Sequence, residues 1–426
     1  MVSSATFRAL PVLLAATLLA PAGAPAAPSK APERAKASQS GMKSRLASAM
    51  RSAGSRSGAY VINSSTGQRV FRKRSTTPRI LASNTKLFTT SAALAQYGVD
   101  GRLNTTVRGR GTLSANGVFR GDLYLVGGGD PTFGSSSFNR RAYGSGATVQ
   151  ALAAKLEDVG IRRVTGRVYG DESRFDSRRG GPDSGFRISP YVGPLSALAY
   201  NRGLASESGR GYQSSPPGFA ASAFTGALRA RGVKVAGAPR ARTAPSGTEE
   251  LAVVESPTMA RLAAITNKPS DNFFAEMLLK DLALSTGRRG TTAAGASLAT
   301  RFAARLGARP TRLADGSGLS RANRASPARV VALLRAMQRR DEFDEFYSSL
   351  SIAGRDGTLG PRLRSGPARG RCRGKTGTLS NVSALSGYCR ALSGDTYVFS
   401  ILMNSVNPYG ARQLQDQMAQ AIAGVR

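Results

Sequence analysis

The sequence predicts an α+β main domain split by a mainly β insertion. Three observations point there. Runs of β-type residues with turn signals stand near both ends of the chain. Helical periodicity dominates residues 258–337. Short β-type runs broken by Gly, Pro and Ser clusters fill the stretch between the first strands and those helices. At 426 residues with 41% hydrophobic content, the chain can build more than one packed core.

The elements follow in order. Arg8 precedes the apolar run 9–20, and small residues follow at Ala22, Ala24 and Ala26, so residues 1–26 are expected to be a signal peptide. That run is too short to span a bilayer, which needs about 20 apolar residues. Residues 27–58 are Ala, Ser, Arg and Lys with little apolar periodicity, and are expected to be a basic linker with at most a helix near its end. The runs 59–62 and 69–71 flank the turn signal 64–67 and predict a hairpin. Residues 83–97 lack Pro and Gly and meet Gly98 as a helix stop. The main domain is expected over 59–100 and 255–426, with the insertion over 101–254. Inside the insertion, 148–159 and 219–231 carry helical patterns. Helices are expected at 272–284, 291–306 and 327–337, then a hairpin of 375–379 with 384–390, a strand at 396–404 and a final helix.

The formal net charge is +35. An exported chain with this excess associates with polyanions, and export favours anionic envelope polymers over nucleic acid. The plainer alternative is that the arginines only solvate the exterior. Cys372 and Cys389 are the two cysteines, and their midpoint falls in the turn of the expected hairpin, which would set them opposite each other within bonding range. With no histidine in the chain, Ser-His-Asp and Cys-His mechanisms are excluded, and the ligands are too few for a structural zinc.

A lysine-activated serine is the option that remains. Ser83 and Lys86 lie one helical turn apart, so their side chains share a face. Alone, Ser83 reads first as an ordinary helix cap. Ser40 and Lys43 repeat the spacing, but inside the expected linker. Lys375-Thr376-Gly377 adds a second cation on a strand between glycines, where backbone can approach a ligand. Lys375 is expected to depress Lys86 and, with Thr376, to hold a carboxylate. The N–H groups of Ser83 and Thr378 are expected to form an oxyanion hole. Ser270-Asp271-Asn272 precedes a helix; Ser270 would relay a proton and Asn272 would orient the substrate amide and Lys86. A phosphate-binding loop ending at Lys375 fails, because Arg369 stands where glycine is required. The 127–129 glycines lack nucleotide-loop spacing and read as a tight turn.

The ordered set of segments resembles the D-alanyl-D-alanine carboxypeptidase/endopeptidase family of class C low-molecular-mass penicillin-binding proteins. The matching segments are 81–86, 122–132, 166–173, 267–272, 315–320, 353–359 and 375–379. The resemblance runs from about Ala59 to the C-terminus. It implies a penicillin-binding/serine β-lactamase-like domain, an antiparallel sheet of about five strands with helices on both sides. It implies that the insertion is the family's second domain, with the nested third domain missing or reduced. It also implies a serine DD-peptidase that removes terminal D-alanine from peptidoglycan stem peptides, cleaves D-Ala cross-links at the same site and is acylated by β-lactams. Its catalytic residues would be Ser83, Lys86, Ser270, Asn272 and Lys375. Thr376, Gly377 and Thr378 would bind substrate, and no cofactor is needed. The expected location is exported, periplasmic or cell-wall associated. The alternatives are a serine β-lactamase or esterase of the same superfamily and a non-catalytic basic envelope-binding protein.

Overall fold

The computed structural model describes residues 31–426. The expected signal segment, 1–26, lies outside the described residues.

The main sheet has six strands, all antiparallel. Their order is Ser351–Ile352, Cys372–Leu379, Val382–Arg390, Thr396–Asn404, Ser57–Asn63 and Arg69–Lys73. The Thr396–Asn404 strand shows why the sheet is central. Its side chains alternate by the period of two. Tyr397, Phe399, Ile401 and Met403 enter one core, whereas Val398 and Leu402 enter another on the opposite face. The second core contains the helices Thr85–Tyr97, Asn272–Leu284 and Pro327–Met337. The first is closed by the C-terminal helix Pro408–Ala423 and by the helix Ala31–Ser52.

That last helix corrects an expectation. Within the expected linker, 27–58, the described part from Ala31 to Ser52 is one packed helix, and Met42, Leu46, Ala49, Met50 and Ala53 bury against Met418, Ala419 and Ile422. The stripe has helical spacing, but it is narrow and sits among Ser, Arg and Lys, so composition concealed it. The main-domain sheet also begins slightly earlier than expected, at Ser57.

Between Tyr97 and Met259 a separate core forms around a mixed sheet. Asn104–Leu113 pairs antiparallel with Val118–Val126 and with Glu249–Glu255, while Val168–Asp171 joins Val118–Val126 in parallel. The helices Val149–Asp158 and Pro216–Ala230 pack into this core. The glycines at 127–129 do more than turn the chain. A Cβ on Gly129, at φ +87°, would lie 2.2 Å from a carboxylate oxygen of Asp281. The loop therefore packs its bare backbone against the Asn272–Leu284 helix.

Cys372 and Cys389 face each other in register and form a disulfide, with Cα atoms 4.0 Å apart.

Candidate active site

Ser83 sits in a 3-10 turn, Ala82–Asn84, that leads into the helix Thr85–Tyr97. Ala82 holds φ +46°, a left-handed conformation costly for a residue with a Cβ. The side-chain amide of Asn84 donates to the Lys375 carbonyl at 2.8 Å and ties this turn to the Cys372–Leu379 strand. Contact is closest at Gly377, where an added Cβ would stand 3.0 Å from the Ser83 nitrogen. A larger residue there would push the strand off the serine. Gly318 approaches from a third side: at φ +90°, its Cβ would fall 1.9 Å from the Ala82 oxygen.

The strand register decides which backbone groups face the serine. The Cys372 carbonyl accepts from Ala353 N–H, whereas the Arg371 carbonyl accepts from Arg390 N–H. Bonding direction alternates along an antiparallel strand, so Thr376 and Thr378 turn their N–H and C=O groups away from Val382–Arg390. The short strand Ser351–Ile352 ends opposite Gly374 and leaves that edge free. The Thr378 N–H thus opens onto the Ser83 side, the position expected of an oxyanion donor.

Lys86 is fully buried. Its Nζ bonds Ser83 Oγ at 3.1 Å, Asn272 Oδ1 at 2.7 Å and the Ser317 carbonyl at 2.7 Å. Burial pushes its pKa down to about 8, against opposing pulls from Asp315, Asp271 and Glu276. Asn272 is held in turn, since its Nδ2 donates to the Tyr191 carbonyl at 3.1 Å.

Lys375 is equally buried, and its Nζ donates to Ser270 Oγ at 2.8 Å and to the Thr376 carbonyl at 3.0 Å. Burial, and then the charge of Lys86, hold it well below the ordinary lysine value. Desolvation is the first cause of the lowering in both lysines, and the repulsion between the two ammonium groups is mutual. Three carboxylates support a proton on Lys86, and Lys375 has no such support.

Ser270 adopts φ +66°. Asp271 caps the following helix by accepting from Phe274 N–H and pairs with Arg202. Asp271 thus caps the helix, which leaves Ser270 and Asn272 to face the cleft. Thr376 Oγ1 bonds Thr358 Oγ1 at 2.7 Å, and Arg412 donates to Thr378 Oγ1 at 3.1 Å. A cleft of about 1140 Å³ brings Ser83, Ser270, Asn272, Thr376, Gly377 and Thr378 together, and Arg321, Arg362 and Arg412 also line it. Lys86 and Lys375 lie beneath that surface, reaching it through Ser83 and Ser270.

Sequence reading missed Tyr191, Glu276, Ser317, Thr358 and Arg412. Ser317 and Thr358 lie in segments already singled out, 315–320 and 353–359, but their roles there are to offer a carbonyl and a hydroxyl, which no motif announces. Glu276 had a usable signal: polar residues recur every four positions, at Asn272, Glu276 and Lys280, in a helix whose other residues are apolar except for Asp281. Among the described residues, no group of three or more His, Cys, Asp or Glu side chains is placed to hold a metal ion.

The chain is similar to known proteins along most of its length. The family model described as D-Ala-D-Ala carboxypeptidase 3 (S13) matches residues 41–208 and 210–425. A D-alanyl-D-alanine carboxypeptidase of Actinomadura sp. is 29% identical over 451 residues, covering 87% of this chain and 81% of that protein. A carboxypeptidase of Mycobacterium tuberculosis is 29% identical over 368 residues, 83% of this chain and 77% of its own. Among solved structures, penicillin binding protein 4 of Haemophilus influenzae superposes with a TM-score of 0.75 at 20% identity, covering 88% of this chain and 98% of that one.

Proposed function

The chain belongs to the D-Ala-D-Ala carboxypeptidase 3 (S13) family, and we infer that it is a serine acyl-enzyme DD-peptidase working through Ser83. One observation carries the assignment of residues: a buried lysine of lowered pKa contacts the hydroxyl that faces the cleft.

Lys86 takes the Ser83 proton as Oγ attacks the carbonyl between two D-alanines. The N–H groups of Ser83 and Thr378 receive the developing oxyanion, an effect usually worth about 3–4 kcal/mol per donor. The terminal carboxylate docks beside Lys375 and Thr376, and its charge restores the proton that burial takes from Lys375. The proton held on Lys86 reaches the leaving D-alanine amine through Ser270, which is bonded to Lys375, and Lys86 is left neutral again. Water then attacks the acyl-serine with Lys86 as base. Cross-linked peptides are cut at the same centre, and β-lactams acylate the same oxygen.

The substrate places the enzyme outside the cell membrane, in keeping with the signal segment read from the sequence. A strongly cationic face supports anionic envelope polymers as partners. Residues 57–99 hold six Lys and Arg and no acid, and four of the six, Arg69, Arg72, Lys73 and Arg74, reach the surface. Residues 301–340 hold ten Arg and one acid, Asp315, which is fully buried. The two segments meet where Arg312, Arg324 and Ile80 lie side by side in a small sheet.

Intact mass after incubation with benzylpenicillin tests this reading. One penicilloyl adduct mapping to Ser83, absent from Ser83→Ala, is expected. An adduct on another residue, or one that persists in the variant, overturns it. The lifetime of the adduct separates a DD-peptidase, where it is long, from a β-lactamase, where it is short.

A further inference from the structure

Lys86 can act as a base only if its lone pair, rather than an N–H, points at Ser83. A neutral amine has two N–H donors and one lone pair. Two of the three partners of Lys86, Asn272 Oδ1 and the Ser317 carbonyl, can only accept. They take both hydrogens, and the lone pair is left for the Ser83 hydroxyl. The direction of the lone pair therefore depends on how firmly these two acceptors are held. Asn272 is held by the Tyr191 carbonyl. The Ser317 carbonyl belongs to the loop 315–320, which has no regular structure of its own.

We propose that Glu276 is the positioning residue of the catalytic base, clamping the Gly316–Ser317 peptide that leads into the Ser317 carbonyl so that the lone pair of Lys86 is aimed at Ser83. The inference rests on the DD-peptidase reading above. Glu276 lies one helical turn beyond Asn272 on the Asn272–Leu284 helix, and it is fully buried. Its Oε1 accepts from Gly316 N–H at 3.1 Å and from Ser317 N–H at 2.8 Å. Thr89, from the Ser83 helix, donates to the Gly316 carbonyl at 2.9 Å and grips the same peptide from the other side. Asp315 holds the next peptide, the one that carries the Ser317 carbonyl, by accepting from Gly318 N–H, and braces the rest of the loop through Ser320 N–H and the Asn323 side chain. One helix thus sets both acceptors of Lys86: Asn272 directly and Ser317 through Glu276. The other oxygen of Glu276, Oε2, is buried without a partner, a costly arrangement for a group that serves packing alone.

The clamp has an electrostatic consequence. Burial and the nearby Asp315 push Glu276 up to about 7. Ionised Glu276, Asp315 and Asp271 favour the proton on Lys86. Lys375 faces Lys86 from the sheet, and Lys280 faces Glu276 from its own helix. Removing the Glu276 charge while keeping an acceptor lets Lys86 lose its proton at lower pH.

The test follows benzylpenicillin acylation of the full mature chain across pH for wild type, Glu276→Gln and Glu276→Ala. Glu276→Gln retains an oxygen for both N–H groups. It is expected to acylate within a few-fold of wild type, with the acidic limb of the rate profile moved down by roughly half a pH unit, part of the effect being offset by easier ionisation of Asp315. Glu276→Ala releases the peptide and is expected to acylate about 100-fold more slowly. A structural residue without this role would give two variants equally slow, or equally fast, with the acidic limb unmoved, and either result overturns the proposal. Should Glu276→Ala not fold, the limb of Glu276→Gln decides alone. Wild type is measured in the same series, so failure of the DD-peptidase reading appears there and failure of the clamp appears in the variants.

Discussion

Lys86 and Lys280 are both fully buried, and both have lowered pKa values caused first by desolvation. They do different things because their partners differ. Lys280 donates to the Asp176 carboxylate at 2.6 Å and to the Arg178 carbonyl at 3.0 Å, joining a helix of the main domain to the chain after Val168–Asp171. Lys86 touches only neutral oxygens, from Ser83, Asn272 and Ser317. Its carboxylates stand one layer back. A buried lysine bonded directly to a carboxylate is pinned as a cation. One bonded to neutral acceptors, with charges at a distance, can release a proton near neutral pH and become a base.

The comparison breaks most visibly at Lys86 itself. Lys86→Met should slow acylation by about 10³–10⁴-fold, whereas Lys280→Met should stay within a few-fold of wild type. Comparable losses in the two variants would show that the chemistry does not distinguish the lysines.

Next in size is a stability effect. The folded pKa of Lys86 lies at about 8, below its ordinary 10.5. The unfolded chain therefore binds more protons between those values, and folding stability rises with pH across that window and falls as pH drops through it. The Lys86→Met variant should lose that slope, by about 3 kcal/mol between pH 8 and pH 10.5. Denaturant melts of both proteins across the window measure it, and parallel curves would contradict the buried neutral lysine.

Asn272→Asp would turn the Lys86 environment into that of Lys280. A carboxylate in contact raises the lysine pKa, so the acidic limb of acylation should move to higher pH. At pH 7 the rate should fall by about 100-fold, with part recovered at higher pH. An unchanged limb would mean that direct pairing is not what separates the two sites.

The smallest effect is at Lys280. Its methionine variant leaves Asp176, whose side chain is 21% exposed, without its partner, so the cost should be about 2 kcal/mol, seen as a lower midpoint in urea. No loss would show that the pair contributes nothing to holding the two parts together.

Much of the site was legible because its chemistry is written in short segments. Ser83 with Lys86 requires only a helix, and Lys375 to Thr378 only a strand. The α+β class followed from periodicity. Less visible was what neutral backbone contributes. The Ser317 carbonyl and the Tyr191 carbonyl belong to irregular loops, and any residue type offers a carbonyl. The Ala31–Ser52 helix was hidden for a related reason: its narrow apolar stripe acquires meaning only beside Met418 and Ile422.

The sequence by itself determined the reactive group types, the absence of a histidine route and the order of the strands and helices that carry the chemistry. Local periodicity and side-chain chemistry suffice for those. Only the tertiary structure decided what surrounds Lys86 and lowers its proton affinity, since that depends on burial and on partners contributed by distant segments. It likewise decided the approach of Gly377 to Ser83, the outward turn of the Thr378 N–H and the clamp from Glu276, because each arises where separate parts of the chain exclude water together.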